Sequence, residues 1–206
     1  MSVVDEAIVR EYFESHGFLV RQHRKYAVSG REKRTDEEMD LLVCNPRAQP
    51  EGAGRGERFF LKSDDLPFLS CALIEIKGWH SERFGPSILN KPDFLRFVEK
   101  AAEREARMIF GADRPLRKIL VLPELAADPA LREKCVVILK GHGIDGVFFF
   151  REILGELILH IEKNKNYQKS ELLQLLRVLK ACDLLKDPQM ELFGKRSRNQ
   201  RRKNPS

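Results

Sequence analysis

Apolar residues recur near the start of the chain at i, i+4, i+5, i+8 and i+9: Val4, Ile8, Val9, Tyr12 and Phe13. That spacing predicts an amphipathic helix over residues 4–16. Ser2 suits its N-cap, with Asp5 three positions on, and Gly17 follows where a helix end favours positive φ. The period then shortens. "FLVRQHRKYAV" predicts a strand, "SGREKRTDEE" a polar turn, and "MDLLVCNP" a short strand stopped by Asn45-Pro46. Residues 46–58 are dense in proline, glycine and charge, which predicts a mobile insertion within about 45–67. "RFFLK" predicts a brief strand and "FLSCALIEIKGW" a central one.

Helical spacing returns from about Pro92 to Phe110, where Phe94, Phe97, Val98, Ala101, Ala102 and Ala106 form an apolar stripe. "RKILVLPEL" predicts a further strand. A helix from Pro129 to about Lys140 ends at Gly141, and "DGVFFF" predicts the last strand. Two leucine-bearing helices close the chain, over about 151–163 and 170–186, the second capped by Ser170. The order α-β-β-β-α-β-α-β implies an α/β fold, a mixed central sheet with helices on both faces. Continuous apolar runs such as "KILVL" and "GVFFF" suit strands covered on both sides. We expect a main domain over 1–150, a helical extension over 151–190 and a tail over 191–206.

Composition narrows the class. With 42% hydrophobic and 33% charged residues in 206, the chain matches a globular domain. No apolar run approaches the roughly 20 residues that span a bilayer. "MSVVDEAIVREYF" lacks the basic and apolar regions of a secretory leader. Cys44, Cys71, Cys135 and Cys182 are scattered, with no C-x-x-C pair, so we expect a reducing cytoplasm and no structural zinc. The net charge of +6 belongs to the tail: "KRSRNQRRKNPS" holds six cations and no acid, and the preceding residues balance at 31 of each sign. Such a run suits phosphate backbones through counterion release, or equally a solvated tail.

The candidate chemistry lies in "SCALIEIKGWH", residues 70–80. Alternation puts Leu73, Glu75 and Lys77 on one face of a strand and Ile74 and Ile76 on the other. Alone, Glu75 and Lys77 fit a solvated ion pair of little worth. Asp40 changes the weighing, because it too enters an apolar strand, ahead of Leu41, Leu42 and Val43. Two carboxylates at one sheet end, about 4 Å apart, would repel by roughly 4 kcal/mol at an effective dielectric near 20. One stays protonated, or a cation sits between them. Magnesium fits such a site because it keeps waters and accepts phosphate oxygens.

Asp40 followed by Glu75-Ile76-Lys77 on the next long strand resembles the signature of the PD-(D/E)XK nuclease superfamily, whose fold is restriction-endonuclease-like. "EAIVREYFESHGF" resembles the opening helix of archaeal Holliday-junction resolvases and related small nucleases, with Glu6 eleven residues before Gly17-Phe18. The resemblance spans about residues 3–150. It implies that Glu6, Asp40 and Glu75 hold Mg2+, with Mn2+ as a substitute and the Ile76 carbonyl as a further ligand. It makes Lys77 the catalytic lysine of a DNA endonuclease that hydrolyses phosphodiesters with metal-activated water, in repair, recombination or restriction. Duplex-cutting relatives often pair, so a homodimer belongs to the expectation, and RNA stays open as a substrate. Two departures stand out. The 34 residues between Asp40 and Glu75 exceed a hairpin, and the following helix has no glutamine near its start, only Asn90 and Lys91. Asp5 rivals Glu6 as the first-helix acid, lying nearer the centre of the apolar stripe.

"RQHRKYAVSGREKR" carries Arg21, Arg24, Lys25, Arg31, Lys33 and Arg34 against Glu32 alone. It suits a phosphate-lined groove leading to the acids, or a solvated hairpin. Trp79 suits core filling ahead of base stacking. His80 has no acidic partner nearby in sequence and is expected to be a bystander. No phosphate-binding loop, serine elbow or H-E-x-x-H helix is present. The alternatives to a nuclease are a non-catalytic nucleic-acid-binding module on the same fold and a complex subunit docking through "SELLQLLRVLKACDLLK".

Overall fold

The first helix, α1 (Val3–Ser15), begins where Ser2 accepts the Val4 amide at 3.2 Å, and the chain leaves it through Gly17 at φ +82°. An L side chain is disfavoured there, so glycine lets the backbone turn straight into β1. The face carrying Ile8, Val9, Tyr12 and Phe13 is buried, each such side chain contributing roughly 1.5–3 kcal/mol relative to exposure. Five strands follow: β1 (Leu19–Gln22), β2 (Leu41–Cys44), β3 (Cys71–Ile76), β4 (Leu116–Leu122) and β5 (Gly146–Phe149). They form one sheet in chain order, β1 to β3 antiparallel and β3 to β5 parallel. β2 and β3 are buried at every position, as strands covered on both faces must be.

This computed structural model describes residues 2–22, 40–49, 58–80, 83–91, 94, 100–111 and 113–185. The basic segment Arg24, Lys25, Arg31, Lys33 and Arg34, the centre of the expected insertion and the terminal tail lie outside the described residues.

Side-chain alternation splits the core into two layers. Leu41, Val43, Ala72, Ile74, Ile76 and Val121 face α1 and α5 (Phe150–His160). Leu42, Leu73, Leu120 and Val147 face α3 (Lys100–Phe110) and α4 (Pro129–Gly141). The α/β class with helices on both faces is therefore present. α6 (Glu171–Ala181) adds Leu176 to the α1–α5 layer, beside Ile153, Leu157 and Ile161, so it packs on α1 and α5, the helices that cover this face of the sheet.

Other boundaries shift. "RFFLK" makes only a bridge, Phe60 to Val147, and α2 (Pro86–Leu89) is a four-residue helix too short to show periodicity. Of the helix expected from Pro92, the described part is Lys100–Phe110.

Candidate functional site at the end of the central strands

Antiparallel register pairs Leu41 with Ile74, and one step further along the ladder Asp40 meets Glu75. Asp40 holds both neighbours of Glu75: its amide donates to the Ile74 carbonyl at 3.0 Å, and its Oδ2 accepts the Ile76 amide at 2.7 Å. Glu75 is buried, and Lys77 Nζ lies 2.7 Å from its Oε1. The same ammonium sits 5.1 Å from the centroid of Phe94, whose ring belongs to the α3–α4 layer. Lys77 also donates its amide to the Val121 carbonyl at 2.9 Å, which ties the end of β3 to β4. The lysine is thus fixed by its backbone, a carboxylate and a ring.

Charge is expensive in this corner. Burial pushes the Asp40 carboxyl up to about 6, the Ile76 amide and the Lys77 ammonium pull it down, and the Glu6 carboxylate pushes it up again. Removing one partner alone from the buried Glu75–Lys77 pair would unbalance the charge of this corner, at a cost on the order of 3–5 kcal/mol.

The two rival acids of α1 take other hydrogen-bond partners. Glu6 accepts a hydrogen bond from the Gln22 side chain on β1. Asp5 is buried, 5% exposed, and takes the Nε2 proton of His80 at 2.8 Å. A Cβ at Gly78 would overlap Asp5 Oδ2, so glycine is what lets α1 and the β3 exit approach this closely. The His80 ring stands edge-on to Phe150, the first residue of α5, at 4.7 Å. The bystander expectation for His80 is corrected here: its acidic partner lies 75 residues away in sequence, where no local pattern reveals it. Asp5 rather than Glu6 occupies the centre of the apolar stripe, as the helical wheel suggested. Trp79 departs from core filling: it is 47% exposed and stacks on Phe84 at 5.8 Å. Asn90 and Lys91 are exposed at the end of α2.

Among the described residues, no three His, Cys, Asp or Glu side chains are grouped as a metal site would group them. The structure brings together Asp40, Glu75 and Lys77 of the expected set and leaves Glu6 on Gln22. Two hard carboxylates nevertheless fit magnesium, which often takes only one or two protein carboxylates and keeps its waters. A cation would also relieve what raises the Asp40 pKa. No protein-family model, curated protein or solved structure matches the chain.

Proposed function

We propose that the protein is a magnesium-dependent DNA endonuclease of the restriction-endonuclease-like fold, acting in repair, recombination or restriction. One observation carries the reading: Asp40 grips both neighbours of Glu75, and Lys77 is held 2.7 Å from the Glu75 carboxylate at the end of two buried strands. Buried charges at a strand end are a poor route to stability and a common feature of active sites.

Asp40 and Glu75 would hold the ion, with the Ile76 carbonyl as a further ligand, and the bound ion supplies Lewis-acid charge to the attacked phosphodiester. Lys77 orients the attacking water and stabilises the negative charge that grows on the phosphate oxygens. The water oxygen bonds to phosphorus as the ester P–O bond breaks, and the leaving oxygen takes up a proton. Asp40 fixes the Glu75 backbone through its two bonds, so the carboxylates need little rearrangement when the substrate arrives. No helix among the described residues is long and apolar enough to cross a membrane, which suits a nucleic-acid substrate.

The test incubates the purified protein with branched, duplex and single-stranded DNA, with and without magnesium. Magnesium-dependent nicking is expected, reduced at least about 100-fold in Lys77→Ala. An unchanged rate in that variant would refute the role of Lys77. Salt-sensitive binding without cleavage assigns a binding module, and neither activity assigns a complex subunit.

A further inference from the structure

A cleft of about 750 Å3 opens at the same sheet end, between α5 and Arg132 of α4, against His80. Pro123, just past β4, and Phe149, the last residue of β5, form part of its wall, with the first turns of α5 opposite. Ligands of parallel sheets gather at these carboxyl ends, because the chain diverges there into loops and helices.

Its lining mixes two chemistries. Arg83, Arg132 and Arg151 enter it with His80, against Glu124 and Glu152. Arg83 is spent on Glu124 at 3.0 Å, which leaves Arg132, Arg151 and the imidazole to answer Glu152 and any incoming anion. Arg132 is preorganised: its guanidinium lies 4.8 Å from the Phe60 centroid and 5.5 Å from that of Phe149. His80 is preorganised too, since Asp5 holds Nε2 and the ring, when both nitrogens carry protons, presents Nδ1–H to a ligand. No side chain caps the start of α5, so its first amides add positive potential. Beside these cations lie Phe149, Phe150, Leu154 and Ile158, a flat apolar wall.

We propose that this cleft binds a nucleotide unit of a nucleic-acid strand, with its phosphate on His80, Arg132 and Arg151 and its base against the apolar wall. A free phosphate needs no such wall, and an apolar ligand needs no arginines. Stacking with backbone neutralisation is how single strands are held. The assignment rests on the nuclease reading and extends it: the carboxylates cut, and this cleft at the same sheet end holds a flanking nucleotide.

The experiment follows binding of a fluorescein-labelled single-stranded DNA 12-mer by anisotropy in EDTA at fixed low salt, so that cleavage is silent. Arg132 and Arg151 are exposed, so Arg132→Ala/Arg151→Ala keeps the fold, which a melting curve verifies. Binding weakens about tenfold or more in this variant, as charge-assisted contacts are lost. Removing two charges elsewhere, Lys165→Ala/Lys169→Ala, changes it less than about twofold. Deoxyadenosine monophosphate displaces the 12-mer at lower concentration than inorganic phosphate does. Wild-type protein that does not bind, equal loss in both double variants, or equal competition by phosphate overturns the assignment. Intact binding with no magnesium-dependent cleavage sinks the nuclease reading and leaves the cleft standing.

Discussion

The β2–β3 ladder ends in opposite ways. Its four internal pairs are apolar or thiol: Leu41–Ile74, Leu42–Leu73, Val43–Ala72 and Cys44–Cys71. Past Cys44, the buried groups are neutral, and the exposed Arg114 guanidinium donates to the Cys44 thiol at 2.9 Å. The two thiols lie 3.2 Å apart, and burial with the neighbouring thiol pushes Cys71 up, so it stays protonated. Asn45 donates to the Ser70 and Leu66 carbonyls at 2.7 and 3.3 Å and accepts the Arg47 amide at 2.9 Å. At the other end, the same ladder presents Asp40, Glu75 and Lys77. One end is built as a core is built, with polar groups satisfied at no charge cost. The other keeps ionised groups where neutral ones would be more stable, the trade expected of a working site.

Mutations can break or sharpen this contrast. The largest effect is on chemistry. Glu75→Gln/Lys77→Met, which removes both buried charges and strands neither, abolishes magnesium-dependent cleavage by about 100-fold or more while keeping its melting temperature. Full activity in that variant would mean the charged end does no chemistry. Next comes the shared middle: Leu73→Ala, in the centre of the ladder, lowers unfolding free energy by roughly 2–5 kcal/mol in denaturant titrations.

Asp40→Asn runs the other way. With a native pKa of about 6 against an ordinary 3.8, the folded protein binds more protons than the unfolded chain between those values. The contribution of Asp40 to wild-type stability in EDTA is therefore greatest below pH 4 and is lost as pH rises to about 6. The asparagine variant removes that slope and is more stable at pH 7 by roughly 2–3 kcal/mol. Magnesium raises the wild-type melting temperature and leaves the variant unmoved. A wild-type curve without slope between pH 4 and 6 would contradict this account of Asp40.

At the thiol end, Cys71→Ala loses about 1–2 kcal/mol and keeps full cleavage, the reverse of the charged end. Smallest of all, Asp183→Asn removes the exposed Lys163 ion pair on the α5–α6 side and leaves the denaturant midpoint essentially where it was.

Asp40, Glu75 and Lys77 were legible because side-chain direction along a strand follows from position alone, and an acid inside an apolar run stands out. Helix ends at Ser2, Gly17 and Gly141 were legible for the same local reason. α2 was not, because four residues carry no period. The destinations of Asp5 and Glu6 were not legible either. Adjacent on one helix, they diverge by about 100°, and only the packing of α1 across β1 and the β3 exit sends one to His80 and the other to Gln22. Sequence by itself determined the two periodicities, the apolar runs of β2 to β5 and the three charged residues at one strand end, since these depend on each residue and its near neighbours. Tertiary structure alone decided which acids meet, what His80 faces and where the arginine cleft opens, because those depend on contacts between distant segments, 75 residues apart for Asp5 and His80.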